Sequence, residues 1–406
     1  MIRVLHVVGD SRFGGGSIVV LRLAELARSL GWDVQVLTTD PVFKEVLDRA
    51  GLGTLSIDVI RRRIRPFWDL AGAFRLLRHL RRNPYTIVHT HTSKAGFVGR
   101  WAAHRANVPV IVHTVHGFAF HEASPWLPTR LYAAMERLAA RWCDRLVTVS
   151  EYHREWAAQL GIGDSSQRVA IVNGLAMDRV AADRTRCETR REWSVLPGEA
   201  VVLSMGRLAK QKGLEYLIDA AAVVAGCTKK PLRVVLVGEG PLRESLEHRA
   251  RSLGIADRIL FFGFRQDVGN LLAACDVVAI PSLWEGLSIA LLEAMAARKP
   301  IVATAIGSNC EATQDGRGAL LVPPRDPCAL AAAIVRLLED HDLARTLAEK
   351  AFEIYCARYT EERMLEEYRK LYCSCLQERR IGAAHAAGGG NDRRQPRSPR
   401  GLKSVA

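Results

Sequence analysis

Two series of short apolar runs, each run followed by a helical stretch, constrain the fold of this chain most strongly. The first series contains IRVLHVV (2–8), DVQVLT (33–38), TIVHTH (86–91), VPVIVHTV (108–115), RLVTVS (145–150) and VAIVN (169–173). The second contains AVVLSMG (200–206), LRVVLVG (232–238), ILFFG (259–263), VVAIPS (277–282), PIVATA (300–305) and ALLVPP (319–324). Apolar, β-branched strands that alternate with helices are typical of parallel sheets covered on both faces. The pattern predicts an α/β protein with two Rossmann-like, doubly wound domains.

The length and the interruption between the two series predict the domain boundaries. A chain of 406 residues exceeds what one hydrophobic core usually organises. Residues 175–199 are charged and aperiodic. We therefore expect a first domain over 1–175, a linker over 176–199 and a second domain over 200–360. Residues 381–406 are rich in Gly, Pro, Ser and Arg without periodicity, which predicts a disordered basic tail.

Composition and the first residues predict a cytoplasmic protein. No run of eighteen or more apolar residues occurs, and MIRVLHVVGDSRFGGGS reads as a strand and loop rather than as a secretory signal. The nine cysteines are an odd number without zinc-site spacing, so reduced structural thiols are the expectation.

Positive charge is concentrated in the first half of the chain. Residues 1–185 contain 25 Lys/Arg and 16 Asp/Glu, whereas residues 186–380 contain 27 and 26. Eight arginines and one acid occur in RRRIRPFWDLAGAFRLLRHLRR (61–82), interleaved with Phe and Trp. An anionic membrane surface and a solvated helix face both fit this basic amphipathic segment. Nucleic acid is not expected as a partner, because no nucleic-acid-binding module accompanies the arginines.

Polar and glycine residues follow several predicted strands, where doubly wound sheets bind their ligands. Gly14–Gly16 follow the first strand and precede a helix, which suits an anion, although a tight turn is the simple alternative. The glycines are adjacent rather than spaced as GxGxxG, so a dinucleotide fingerprint is absent. Arg207 and Lys212 in GRLAKQKG follow the first strand of the second domain. Two such cations suit a diphosphate, and a surface ion pair is the alternative.

Two glutamates in PSLWEGLSIALLEAMAARKP (281–300) mark a further site. Glu285 precedes a predicted helix whose first amides have no partner within the helix. Glu293 lies about two turns along that helix among apolar residues, where an unpartnered carboxylate would be costly. Vicinal hydroxyls of a ribose or a hexose would satisfy both acids. A local salt bridge of Glu293 with Arg298 or Lys299 is the alternative.

These motifs together resemble the retaining glycosyltransferases of family 4, which have the two-domain GT-B fold. The resemblance rests on Gly14–Gly16, GRLAKQKG (206–213), VGEGP (237–241) and EGLSIALLE (285–293), which match the family in order and spacing. HTHTSKAGFVGR (89–100) and HTVHGFAFHE (113–122) are similar to the branch that builds capsular and exopolysaccharide units on polyprenyl diphosphate carriers. The resemblance implies a helix over 361–380 that crosses back to the first domain, and an enzyme at the inner face of the plasma membrane.

The resemblance also implies a role for each matching residue. Arg207 and Lys212 would neutralise the leaving diphosphate, while His116 would stabilise positive charge at the anomeric carbon. Glu285 would hold the donor sugar and Glu293 the ribose of a nucleotide that the resemblance favours as uridine diphosphate. Further donor contacts would come from Gly15, Gly16, Gly286, Leu287, Ser288 and the backbone near Arg265. His89, His91 and Lys94 would line the acceptor side.

Several departures and alternatives accompany the resemblance. The strand at 169–173 continues as NGLAMD rather than NGVD, so a hinge aspartate at Asp178 has no firm basis. A DxD metal motif in a convincing context is absent, and we expect no metal and no cofactor. A hydrolysing UDP-sugar 2-epimerase of the same fold, a transferase for a soluble acceptor and a silent nucleotide-sugar-binding protein remain alternatives.

Overall fold

The computed structural model describes residues 1–9, 14–55, 57, 66–118, 120–121, 124–227 and 231–380. The predicted disordered tail (381–406) and the arginines at 61–65 of the basic segment lie outside the described residues. Within those ranges, no helix combines the length and apolar character needed to cross a bilayer.

Parallel strands form the centre of the N-terminal half. In the described residues this sheet has seven strands in the order β3-β2-β1-β4-β5-β6-β7. The strands are β1 (Arg3–Gly9), β2 (Asp33–Thr38), β3 (Gly53–Leu55), β4 (Ile87–His91), β5 (Val110–Val115), β6 (Arg145–Thr148) and β7 (Arg168–Ala170). The helices around it are α1 (Gly15–Ser29), α2 (Pro41–Arg49), α3 (Pro66–Arg82), α4 (Ser93–Arg105), α5 (Trp126–Ala140) and α6 (Glu151–Gln159).

The segment between the halves contains a 3₁₀ turn at Met177–Val180 and helix α7 (Arg186–Glu192). A capping box begins α7: the Thr185 side chain accepts from the Glu188 amide, and the Glu188 carboxylate accepts from the Thr185 amide. Hydrophobic periodicity did not predict α7, because this helix is highly charged and has few apolar positions.

The C-terminal half repeats the architecture. In the described residues its parallel sheet has six strands in the order β10-β9-β8-β11-β12-β13. They are β8 (Ala200–Met205), β9 (Leu232–Val237), β10 (Ile259–Phe262), β11 (Val277–Ile280), β12 (Ile301–Thr304) and β13 (Leu320–Val322). The helices are α8 (Leu214–Cys227), α9 (Arg243–Ser252), α10 (Val268–Ala274), α11 (Ile289–Ala296), α12 (Gly307–Thr313), α13 (Pro327–Glu339), α14 (His341–Arg358) and α15 (Glu361–Glu378). Two Rossmann-like parallel-sheet units, as predicted, make up the fold.

Strand order places the ligand-binding edge of each sheet. In the first sheet β1 lies between β2 and β4, and in the second β8 lies between β9 and β11. The direction of strand succession reverses at β1 and at β8, and crevices at such points are where open α/β sheets bind ligands. In the described residues, the start of α1 and the first residues after β4, β5, β8 and β11 lie at these edges.

The last helix returns to the N-terminal half. Tyr368 and Tyr372 of α15 are fully buried in one apolar cluster with Val4, Ile87 and Val110 of the first sheet. The chain is fastened where it crosses, since the Leu175 amide donates to the Tyr359 carbonyl at 2.9 Å and the Glu361 amide donates to the Leu175 carbonyl at 3.2 Å. The segment at Leu175 and the segment at Tyr359–Glu361 thus run next to each other between the two halves.

Candidate active site

Glu285 and Lys212 meet at the edge of the second sheet. Lys212 Nζ forms an ion pair with Glu285, whose carboxylate also accepts from Ser282 Oγ at 2.9 Å and from Gln211 Nε2 at 3.0 Å. The side chain of Glu285 is only 8% exposed and that of Lys212 is 19% exposed. The structure thus brings together the two residues that the GRLAKQKG and PSLWEG motifs predicted separately.

Glycine backbone makes this arrangement possible. Gly206 has φ +142°, and a Cβ there would lie 3.0 Å from Lys212 Cε, so a side chain would crowd the lysine stem. Gly213 has φ +58°, and its Cβ would lie 2.2 Å from the Pro281 carbonyl oxygen. Arg207, between these glycines and exposed, follows β8 directly. Glycine at 206 and 213 lets the chain turn sharply enough to present Arg207 and Lys212 at the same strand end.

The two halves of the molecule touch at this place. A Cβ on Gly286 would lie 1.9 Å from the His116 carbonyl oxygen, and one on Gly15 would lie 2.6 Å from Ile289 Cγ1. On the N-terminal side, Gly16 approaches the His116 ring, with its built Cβ 3.6 Å from Cγ. His116, the first turn of α1 with Gly15 and Gly16, and the start of α11 therefore enclose one region between the sheets.

The His116 imidazole is neutral. Burial lowers the pKa of His116 to about 4. Its Nε2 lies 3.1 Å from Nδ1 of His91. Its Nδ1 is buried and has no hydrogen-bond partner among the described residues. The ring is thus anchored on one side and has an unsatisfied nitrogen on the other.

Glu293 is buried on α11, and its partner is a residue that sequence reasoning did not identify. Its Oε1 accepts from Arg179 Nε at 3.0 Å, and the Glu293 side chain is 5% exposed. Burial raises the pKa of Glu293, while the neighbouring Arg179 opposes that shift. The alternative partners predicted from sequence are engaged elsewhere, because Arg298 pairs with Glu349 and Lys299 donates to the Cys275 carbonyl.

Leu287 and Ser288 lie in the turn that leads into α11. Both are buried, and Ser288 is the residue that precedes the helix. Its hydroxyl Oγ has no hydrogen-bond partner among the described residues and does not cap the helix. A buried hydroxyl without a partner is costly. This position therefore suits a polar ligand atom.

Arg265 lies between β10 and α10, and its side chain is held by acids. Its guanidinium donates to Asp267 at 2.6 and 2.8 Å and also pairs with Glu192 of α7. Hydrogen bonds that the guanidinium donates to Asp267 and Glu192 raise the pKa of Arg265. The guanidinium is therefore hydrogen-bonded to groups of the protein itself, which leaves the backbone of this loop to contact a nucleotide base.

The three residues expected on the acceptor side all have partners within the protein. His89 and His91 are fully buried. His89 Nδ1 lies 2.6 Å from the Tyr372 hydroxyl of α15 and its Nε2 lies 2.8 Å from Thr114 Oγ1. Lys94 Nζ lies 2.6 Å from Asp69 of α3. Both histidines thus lie in the interior beneath α15, and a role for them on the acceptor side stays a prediction.

Three buried histidines could in geometry hold a metal ion. One nitrogen from each of His6, His89 and His91 lies within 4.8 Å of the others. Both nitrogens of His89 and both of His91 already have hydrogen-bond partners, however. A metal ion here would have to displace those bonds.

Sequence reasoning also missed an aromatic pair across the cleft. His121, after β5, stacks on Trp284, next to Glu285, with ring centroids 4.0 Å apart and an interplanar angle of 9°. Both residues lie inside motifs that the sequence singled out, HTVHGFAFHE and PSLWEG. Their pairing could not be seen from sequence because 163 positions separate them.

Comparison with known proteins identifies the family of this chain. The profile described as "Glycosyl transferase 4-like domain" matches residues 14–174, and that described as "Glycosyl transferases group 1" matches residues 186–354. A UDP-Gal:alpha-D-GlcNAc-diphosphoundecaprenol alpha-1,3-galactosyltransferase of Escherichia coli is 30% identical over 344 residues, covering 84% of this chain and 88% of the relative. The chain is a GT-B glycosyltransferase of family 4.

Other relatives and structures agree with this glycosyltransferase assignment. A putative glycosyltransferase, EpsD, of Bacillus subtilis is 27% identical, over 86% of this chain and 91% of its own length. The crystal structure of Anabaena HepE in complex with UDP and glucose has a TM-score of 0.80 and 23% identity, covering 92% of this chain and 100% of that one. The structural match shows a shared fold, and the enzyme class of this glycosyltransferase is EC 2.4.

Proposed function

We propose that this glycosyltransferase moves a sugar from a UDP-sugar to a hydroxyl of a polyprenyl-diphosphate-linked saccharide, with retention of configuration. The Lys212–Glu285 pair carries the proposal, because the next residue, Gly286, packs against His116 across the cleft. Support also comes from the Escherichia coli relative, whose name specifies a UDP-sugar and a diphosphoundecaprenol acceptor. The HepE structures contain UDP, UDP and glucose, or UDP-glucose.

The donor diphosphate would lie at the end of β8. Arg207 is exposed there and Lys212 follows in the next 3₁₀ turn, while Gly15 of the other half lies against Ile289 of α11. Lys212 now pairs with Glu285, so a bound diphosphate would draw the ammonium toward a second anion. Two cations with helix-start amides around a leaving diphosphate are the groups that such a reaction needs.

The donor sugar and ribose would lie along α11. Glu285 and the backbone of Gly286, Leu287 and Ser288 would contact sugar hydroxyls, and the unsatisfied Ser288 hydroxyl would gain a partner. Glu293 would accept from the ribose hydroxyls with the oxygen that Arg179 does not hold. The backbone near Arg265 would contact the base. His116 would orient the donor from the opposite half.

The transfer step requires no protein nucleophile in this proposal. The bond between the anomeric carbon and the diphosphate oxygen breaks, and a bond from that carbon to the acceptor oxygen forms on the same face. The proton of the acceptor hydroxyl passes to the leaving diphosphate oxygen. Arg207 and Lys212 stabilise the negative charge on that oxygen as it develops. We propose no metal ion and no cofactor.

The acceptor would reach the enzyme at an anionic membrane surface, at the cytoplasmic face. The described part of the basic segment exposes Phe67, Trp68, Leu70 and Phe74 on α3. Helix α5 exposes a second apolar stripe formed by Trp126, Leu127, Leu131, Met135 and Leu138. Both helices contact α4, so they lie on the same face of the first sheet. Apolar side chains flanked by arginines suit the interface of an anionic bilayer.

A transfer assay with and without acceptor tests the proposal. The enzyme is incubated with UDP-sugars alone, and then with a polyprenyl diphosphate saccharide extracted from membranes. We expect UDP release only when the acceptor is added, together with a lipid product that carries one more sugar. Conversion of the donor to its 2-epimer and UDP without acceptor would instead identify an epimerase. Donor binding without turnover under any acceptor would identify a binding protein.

A further inference from the structure

Three histidines from the neighbouring strands β1, β4 and β5 form a continuous line inside the N-terminal half. His6 lies in β1, His91 ends β4, and His116 follows β5. Nδ1 of His6 lies 3.1 Å from Nε2 of His91, and Nδ1 of His91 lies 3.1 Å from Nε2 of His116. We name these three residues the histidine chain. It leads from the interior beneath α15 to the region where the halves meet.

Each ring of the histidine chain is neutral. Burial lowers the pKa of His6 to about 3, that of His91 well below its usual range and that of His116 to about 4. A neutral imidazole has one N–H and one lone pair, on different nitrogens. At each 3.1 Å contact one ring must donate and the other accept. The N–H groups of all three rings therefore point the same way along the chain.

The two ends of the histidine chain differ in what they can meet. Nε2 of His6 and Nδ1 of His116 are both buried without a partner among the described residues. His6 is fully enclosed, whereas Nδ1 of His116 is 3.8 Å from the Cβ position built on Gly16, in the first turn of α1 where the two halves meet. If the N–H groups pointed toward His6, an N–H would be sealed in the interior without an acceptor, which is costly. If they point toward His116, that N–H meets the cleft.

We propose that His6 and His91 are positioning residues that hold His116 in the tautomer protonated at Nδ1, so that its ring donates a hydrogen bond to an oxygen of the donor. This inference rests on the proposed function, because the accepting oxygen is that of the nucleotide sugar. This role of His116 differs from the one that the family resemblance implies. The ring then orients the donor through an N–H, instead of stabilising positive charge at the anomeric carbon.

His89 keeps the middle of the histidine chain in place. Its ring centroid is 4.2 Å from that of His91, and its nitrogens are fixed by Tyr372 and Thr114. Thr114 is in turn 3.0 Å from the Tyr368 hydroxyl. Helix α15 thereby braces His89 against His91, and His91 has little room to rotate away from its two neighbours.

A pair of substitutions of nearly equal size separates hydrogen bonding from packing. His91→Asn keeps an amide N–H near the position of Nδ1 and can still donate to His116 Nε2. His91→Leu fills the same space without a donor. We expect H91N to retain kcat within about threefold of wild type, and H91L to lose about tenfold or more, the equivalent of one hydrogen bond. The donor KM should change by less than about threefold in both, because the diphosphate contacts are intact.

The tautomer itself is observed in long-range ¹H–¹⁵N correlation spectra of protein labelled at histidine. In the wild type and in H91N we expect the His116 proton on Nδ1. In H91L we expect it on Nε2 in a substantial fraction of molecules. His113→Gln is the matched control, since His113 is equally buried but lies on the opposite face of the sheet, bonded to Thr90. That variant should change neither the His116 signals nor kcat.

Several results would overturn the inference. They are a His116 proton on Nε2 in the wild type, identical His116 signals in H91L and wild type, or a stoichiometric metal ion that is lost in H91L. If H91L does not fold, His6→Asn and His6→Leu make the same comparison at the other end. The spectra need no substrate, so an enzyme without transferase activity but with the predicted tautomer would refute only the proposed function.

Discussion

At the scale of single residues, a substitution of Glu285 tests the proposed catalytic role most simply. We expect Glu285→Gln to lower kcat about 10²-fold, because a donor sugar that is misplaced by a small distance reacts much more slowly. UDP affinity should stay within about threefold, since the nucleotide contacts other residues. Steady-state transfer kinetics and a UDP titration measure the two effects. Glu244→Gln, an exposed acid at the start of α9, is the control and should change neither.

The Arg179–Glu293 pair predicts a pH-dependent stability. Arg179→Met leaves a buried carboxylate without its partner, so we expect the free energy of unfolding to fall by about 1–3 kcal/mol at pH 8. Burial already raises the pKa of Glu293, and losing Arg179 raises it further. The native state then holds the Glu293 proton more tightly than the unfolded state, so stability is gained as pH falls through the folded-state pKa.

The penalty of Arg179→Met should therefore be smaller at pH 5 than at pH 8. Denaturant titrations at the two pH values measure it. Arg184→Met removes a surface ion pair with Glu192 and is the control, with an expected change below about 0.5 kcal/mol. A penalty for Arg179→Met that does not vary with pH would show that Glu293 stays ionised without Arg179.

At the scale of elements, α3 and α5 predict membrane attachment. We expect wild-type protein to sediment with vesicles that contain anionic lipid at low salt. The double substitution of Phe67 and Trp68 by Ser should reduce the bound fraction several-fold, because buried aromatic area contributes much of interfacial binding. Leu253→Ser, an exposed leucine of the C-terminal half, is the control. Negligible binding of wild type to anionic vesicles would remove the membrane from the proposal.

The elements also show which parts of the fold were readable in the sequence. Both sheets follow from β-branched runs, whose burial on both faces leaves a continuous apolar signal. The edge strand β3 was missed because its sequence, GTL (Gly53–Leu55), is not an apolar, β-branched run. Helix α7 was missed because its stability comes from a capping box and ion pairs rather than from an apolar stripe.

The site was predictable to the extent that its residues follow strands directly. Lys212 and Glu285 could be placed at one sheet edge from sequence, and the structure pairs them. The partner of Glu293 could not be predicted, because Arg179 comes from the linker and reaches α11 only after the chain folds. His6 was missed because a histidine in an apolar strand carries no signal of its neighbours.

At the scale of the whole molecule, a carboxylate of the C-terminal half contacts the start of a helix in the N-terminal half. Glu311 of α12 accepts from the backbone amides of Glu151 and Tyr152, at the start of α6, at 3.0 and 2.8 Å. A negative charge at a helix N-terminus is stabilising. Because Glu311→Gln removes that charge, we expect the unliganded molecule to open and its radius of gyration in X-ray scattering to increase.

A UDP-sugar should reverse that opening, since a donor bound between the halves favours the closed state. Glu349→Gln, which alters an exposed pair with Arg298, is the control for Glu311→Gln and should leave the radius of gyration unchanged. An identical radius in Glu311→Gln and wild type would show that the α6–α12 contact does not control closure.

The central claim is that a nucleoside diphosphate binds at the end of β8. Calorimetric titration of UDP tests this claim most directly. It compares wild type with Lys212→Ala and with Lys210→Ala, a change to an exposed lysine in the same 3₁₀ turn. The account predicts that Lys212→Ala weakens UDP binding roughly 10- to 100-fold, the loss of one charge-assisted hydrogen bond, while Lys210→Ala binds like wild type. Equal UDP affinity in all three proteins, or no UDP binding to wild type, would contradict it.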